Sequence, residues 1–258
     1  MTPVTLIACP DGMNPNFPSR ILLEVCVTSL DYAAAAERAG ASRIELCSKL
    51  DCGGVTPGIR LMEMARQRLR IPIHVLIRPR PGDFVYSTRE FKAMGTAIQN
   101  AKDLKMDGIV VGILDQNSRI DVARTSELVE LAHPLPVTFH RAFDETCSWA
   151  DSLEAVIQTG ATRLLTSGCR PNVIAGLSTL ARLVKQAGEC LSVMPGSGII
   201  PANVARVVRA TSAREVHGSL LTRALRAKTV GAGRAALTER YYRRVLMVAS
   251  ILRSIPPG

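Results

Sequence analysis

The apolar residues of the chain come in short runs that alternate with longer, mixed stretches. Runs rich in Val, Ile and Leu at residues 21–27, 43–47, 71–77, 108–114, 136–139, 163–166, 190–194 and 214–217 read as buried strands. The stretches between them carry helix start and stop signals. Ser29, Ser87 and Asp121 offer capping oxygens, Gly40 suits a helix end, and Pro57, Pro171 and Pro201 suit first turns. Eight strands, each followed by a helix, at spacings of about 20–30 residues predict a parallel α/β fold.

An internal echo favours closure of that sheet into a ring. Residues 39–47 (AGASRIELC) match residues 159–167 (TGATRLLTS) at helix end, glycine cap and strand. The copies fall on strands two and six, half an eightfold barrel apart. No Gly/Pro-rich linker interrupts residues 20–220, so the pattern predicts one (β/α)₈ TIM barrel over residues 21–220. Residues 1–20, with four prolines, read as an irregular extension. Residues 221–258 read as a basic, partly helical tail. Tyr241, Tyr242, Val245, Leu246, Val248, Ala249 and Leu252 recur there at helical spacing, which predicts an amphipathic helix packed on the barrel or on a second subunit.

Composition changes this picture little. The chain has 258 residues, 47% apolar and 21% charged, as in ordinary soluble globular proteins. It lacks an apolar run of membrane-spanning length and a signal-peptide pattern, so it is expected to be cytoplasmic, with no membrane partner. Seven cysteines, an odd number, suggest free thiols in a reducing compartment. The net charge of +10 belongs to one end: residues 206–258 hold 11 Lys or Arg against Glu215 and Glu239, and the rest is nearly neutral. A basic tail on a neutral body does not predict nucleic-acid binding.

The strand ends carry the candidate chemistry. A buried parallel strand should be apolar throughout, yet residues 136–144 (PVTFHRAFD) finish in His140, Arg141 and Asp144. Polar groups recur at all eight carboxyl ends, where α/β barrels place their sites. Three chemistries fit. Cys26 and Cys47, on adjacent strands, could share a soft metal such as Cu(I). Gly196, Ser197 and Gly198, before a helix, are placed as a phosphate loop is, with Ser167 and Gly168 at the preceding strand end. Glu24, Glu45 and Asp144, with Arg78, Arg141 and His140, form an acid/base set with anion-orienting arginines. That set also reads as an ion-pair network filling the barrel mouth.

Several motifs together resemble one family. LEVC at 23–26, RIELC at 43–47, GGVTP at 53–57, IRPR at 77–80 with GDF at 82–84, VTFHRAFD at 137–144 and LTSG at 165–168 are similar to those of the CutC copper homeostasis family, in the same order, over about residues 21–219. The resemblance implies a TIM barrel, a homo-oligomer, and a cytoplasmic location, also nuclear in animals. It further implies copper tolerance through Cu(I) held at Cys26 and Cys47, while the barrel mouth looks more like that of an enzyme, of lyase, isomerase or hydrolase type, acting on a small anionic metabolite, phosphorylated or otherwise. Two departures stand out. Cys52, where the family has an acidic residue, adds a third thiol beside the glycine pair, and an arginine-rich segment replaces the family's usual C-terminus.

Overall fold

The computed structural model describes residues 20–222 and 232–256; most of the predicted N-terminal extension and part of the tail lie outside them. Strands and helices alternate throughout. They run β1 Leu22–Val27, α1 Leu30–Arg38, β2 Arg43–Leu46, α2 Ile59–Arg68, β3 Ile73–Leu76, α3 Thr88–Asp103, β4 Gly108–Val111 and α4 Val122–Ala132. The second half is β5 Val137–Phe139, α5 Trp149–Gln158, β6 Arg163–Thr166, α6 Leu177–Ala187, β7 Ser192–Pro195, α7 Val204–Thr211, β8 Glu215–Gly218 and α8 Ala232–Arg253.

All eight strands are parallel, in the order β7-β6-β5-β4-β3-β2-β1-β8. Strands β7 and β8 lie side by side and complete a nearly closed barrel, as the internal echo predicts. Ser29, Ser87 and Asp121 cap α1, α3 and α4 as read from the sequence, and Ser87 with Glu90 forms a full capping box. Three helices start later than their prolines suggest. Residues before α6 and α7 are drawn into turns, in which Asn172 accepts from the N–H groups of Ile174 and Ala175 and Asn203 accepts from that of Ile200. In α2 the first helical residue is Ile59, because Thr56 is tied to the Arg78 backbone.

The apolar core is a shell between strands and helices. Val25, Val27, Ile44, Leu46, Ile73 and Val75 face outward into it, fully buried. Barrel interiors are usually packed with branched apolar residues; this one is largely polar, with Glu24, Arg43, Glu45, His74, Thr138, Ser192, Glu215 and His217 all buried.

The tail supplies the eighth helix. Helix α8 packs on α1, α7 and β1, burying Tyr241, Val245, Val248, Ala249 and Leu252, each worth roughly 1.5–3 kcal/mol for the larger apolar side chains. The Tyr241 ring meets Tyr32 of α1 at 4.6 Å between centroids. Among the described residues no helix is long and apolar enough to cross a membrane.

Candidate functional site

Period-two geometry sends alternate residues of each strand inward, so the interior is stacked in layers. The layer nearer the strands' amino ends is an ion-pair network. Arg43 of β2 donates to Glu24 of β1 and, at 2.6 Å, to Glu215 of β8. Arg163 of β6 donates to both Glu215 oxygens at 2.9 Å, the Ser192 hydroxyl donates to Glu215, and His217 Nδ1 lies 2.7 Å from Glu24. Burial alone would raise the Glu215 carboxyl, but Arg163 and Arg43 overcome it and bring the pKa to about 2. Glu24 behaves alike: burial opposes ionisation, and Arg43 with His217 holds it well below the usual carboxylate range. Burial drives His74 down to about 3, with Arg43 adding to the effect, so that ring is neutral.

One pleat toward the carboxyl ends lies a different set. Cys26 and Cys47 bring their sulfurs within 3.4 Å, and the Cys26 thiol donates to Glu45 Oε1 at 3.2 Å. The three donor atoms all lie within 4.8 Å of one another, and all three residues are buried. The hydrogen bond from Cys47, then burial and Glu45, push the Cys26 thiol well above its ordinary range. Burial also raises the Glu45 carboxyl. Both shifts favour the protonated forms of Cys26 and Glu45. Glu24, Glu45 and His217 form a second close set, but Glu24 and His217 are already paired with each other.

Above the cluster opens a cavity of about 820 Å³, with Cys26 and Glu45 in its floor. Arg78, His140, Arg141, Asp144, Ser197 and Gly198 line it. Arg78 is 5% exposed and spends its Nη hydrogens on the carbonyls of Cys52, Gly54 and Gly82. Its Nε has no partner. Gly53, at φ +85°, admits this close approach, because a Cβ there would lie 2.9 Å from Arg78 Nη1. His140 is 6% exposed, against Phe84. Its Nδ1 accepts from the N–H of Ala142, so the neutral ring carries its proton on Nε2, which is buried without a partner. Burial, and then Arg78, lower His140 to about 3 and keep it neutral. Gly112 makes room for the ring: a Cβ there would lie 2.3 Å from it.

The other residues singled out in the sequence take varied places. Asp144 accepts from Arg141, Thr166, Ser167 and Cys169, so its carboxylate pins the loop after β6. Ser167 and Gly168 belong to that pinned loop, with Gly168 N–H held by Thr166. Gly196 packs against Leu165 and His217 at the end of β7. Cys52 is exposed at the cavity rim, where its thiol donates to Lys49 O at 3.1 Å, outside the Cys26–Cys47–Glu45 cluster. Cys26, Cys47, Cys52, Cys147 and Cys169 are free thiols, while Cys190 is disulfide-bonded, unlike the free thiols expected of the sequence. Sequence reading passed over Arg163 and Glu215 of the network and Arg170 and Arg244 of the cavity wall. Charges at inward positions of β6 and β8 are a signal for the first two; α8 gives none for Arg244.

Fold and site together define a TIM barrel with a charged plug, a buried thiol–carboxylate cluster and an open mouth. The CutC family model matches residues 21–222, and the chain belongs to the CutC family. A family protein CutC from Chromobacterium violaceum is 43% identical over 237 residues, covering 91% of this chain and 96% of its own. The human copper homeostasis protein cutC homolog is 44% identical over 198 residues, 77% of this chain and 72% of its own. The crystal structure of the putative copper homeostasis protein CutC from Streptococcus agalactiae superposes with a TM-score of 0.74 at 32% identity, covering 77% of this chain and 98% of that one.

Proposed function

We propose that the protein acts in copper homeostasis by binding Cu(I) on Cys26 and Cys47, with Glu45 beside them and access through the cavity. The observation that carries this reading is the pair of buried sulfurs 3.4 Å apart, of which that of Cys26 belongs to the cavity floor. Thiolates are soft ligands that select Cu(I) over hard cations. The metal must displace thiol protons, so binding releases protons and strengthens as pH rises. Cys52, at the rim, is an auxiliary thiol at most.

The reading is tested by anaerobic Cu(I) titration against a strong competing chelator. Wild type is expected to hold one ion, and the double variant Cys26→Ser, Cys47→Ser to bind at least about tenfold more weakly, or 1.4 kcal/mol. Equal binding by the double variant overturns the assignment.

A second reading has its own support. A cavity of about 820 Å³ is the size of a metabolite pocket and far exceeds what one ion needs. Among the described residues its wall holds three buried donors without partners, Arg78 Nε, His140 Nε2 and Arg244 Nε. On this reading the mouth takes a small anionic metabolite as an enzyme of lyase, isomerase or hydrolase type. Arg78 and Arg141 orient the anion, neutral His140 donates a hydrogen bond to a developing oxyanion, and Glu45 moves the proton. Thermal stabilisation by a carboxylated or phosphorylated compound, with metals chelated, supports it; stabilisation by Cu(I) alone across a broad panel removes it.

A further inference from the structure

Helix α8 lies beyond the residues that the family model matches, yet it sends one side chain to the mouth. Arg244 lines the cavity, and its Nε is buried with no partner. Among the described residues Arg244 makes no hydrogen bond and no ion pair. Its neighbour on the helix, Arg243, differs in both respects: it is exposed and paired with Glu239 at 2.8 Å. A guanidinium nitrogen withdrawn from water without a partner is costly to the fold, and a bound anion removes that cost.

Another part of the same lining is of matching character. Ser197, Gly198, Ile199 and Ile200 line the same cavity. The N–H groups of Ser197, Gly198 and Ile199 have no acceptor among the described residues, and Ser197 is held at φ +79°, a left-handed conformation that a serine rarely adopts. Backbone strain of this kind clusters at ligand-binding turns. Of the other arginines on the wall, Arg141 is taken by Asp144, Arg170 is exposed, and buried Arg78 pairs with no carboxylate among the described residues.

We propose that Arg244 is a specificity-determining residue of the mouth, gripping a carboxylate or phosphate group of a small metabolite together with the Ser197–Gly198–Ile199 backbone, while the rest of that ligand reaches Arg78 and His140. A planar guanidinium meets either group through two parallel hydrogen bonds. The inference rests on the metabolite reading and adds to it the C-terminal helix as part of the site.

Inorganic phosphate is the probe, titrated into the metal-chelated full chain and followed by ³¹P NMR and by the arginine Nε–H resonances. Wild type is expected to bind phosphate saturably and to shift one Nε–H signal that Arg244→Lys lacks. Arg244→Gln is expected to weaken binding at least tenfold, Arg244→Lys to fall between, and Arg243→Gln, which removes the same charge from the same helix, to bind as wild type does. Saturable wild-type binding unchanged in Arg244→Gln overturns the role of Arg244 and leaves the metabolite reading standing. Equal weakening by Arg243→Gln reduces the effect to net charge and also overturns it. Absence of saturable binding in wild type removes the anion site as a whole. If Arg244→Gln does not fold, the wild-type Nε–H shift decides: an unmoved Arg244 signal at saturation contradicts the proposal.

Discussion

Two groups of buried polar side chains lie one above the other in this barrel, and they differ in how far their charged groups are paired. In the plug, Arg43, Arg163, Glu24, Glu215, Ser192 and His217 satisfy one another across strands β1, β2, β6, β7 and β8, and among the described residues of that layer the neutral His74 ring alone keeps an unbonded nitrogen, its Nδ1, 4.0 Å from Glu24. In the mouth, Arg78 Nε, His140 Nε2 and Arg244 Nε are buried without partners, and two thiols lie against a carboxyl that burial inclines to keep its proton. A closed network of buried charges holds the strands in register. An open one costs stability unless something arrives to fill it. The same residue types thus pair with one another in one layer and leave buried donors unfilled in the next.

Acid breaks the comparison most severely. His74 and His140, both lowered to about 3, bind protons more readily unfolded, so their contribution is present above pH 6.5 and is lost as pH falls toward 3. Glu215, at about 2, and Glu24 contribute above the ordinary carboxylate range and lose that contribution as pH falls through their lowered values. His217 is raised by Glu24, against the opposing effect of its burial, so its contribution is already complete below 6.5, and only Glu45 works in the opposite direction in this window. Urea midpoints are expected to fall steadily from pH 6.5 downward. His140→Asn, whose amide oxygen can still accept from Ala142, should flatten that slope; an unchanged slope would mean the imidazole is not buried neutral.

Arg43→Met attacks the plug alone. It leaves Glu24 and Glu215 without their shared cation and is expected to cost about 3–5 kcal/mol in chemical denaturation. A loss below about 1 kcal/mol would show that the network is not the closed unit described. Gly112→Ala strikes the mouth instead: the new methyl overlaps the His140 ring, at an expected cost of about 1–3 kcal/mol. Its signature is displacement of the His140 ring resonances, with those of His74 in the plug unmoved.

The smallest effect belongs to the rim. Cys52→Ser is expected to change Cu(I) affinity by no more than about 0.5 kcal/mol, as for a surface substitution. A larger loss in the chelator competition would move the thiol into the metal site.

The division between plug and mouth explains what the chain made legible. Eight apolar runs with capped helices between them were enough to predict a parallel α/β fold, because strand and helix periods depend on local side-chain chemistry, and the internal echo pointed to its closure into a barrel. Cys26, Glu45, Arg78, His140 and Arg141 were singled out because polar residues at the ends of apolar strands violate the local pattern, and the structure brings all five to the cavity lining. Whether such a residue is satisfied is not local information. Asp144 looked like Glu45 in sequence, but four residues across two loops bind its carboxylate. Arg244 looked like any arginine of a basic helix, and only the packing of α8 brings it to the cavity.

Copper K-edge absorption on the full chain loaded anaerobically with one equivalent of Cu(I) examines the cluster most directly. The expected spectrum is that of Cu(I) with two sulfur scatterers, retained in Cys52→Ser and lost in the Cys26→Ser, Cys47→Ser double variant. Nitrogen and oxygen scatterers alone, or sulfur scattering that survives the double variant, would contradict Cu(I) binding at Cys26 and Cys47.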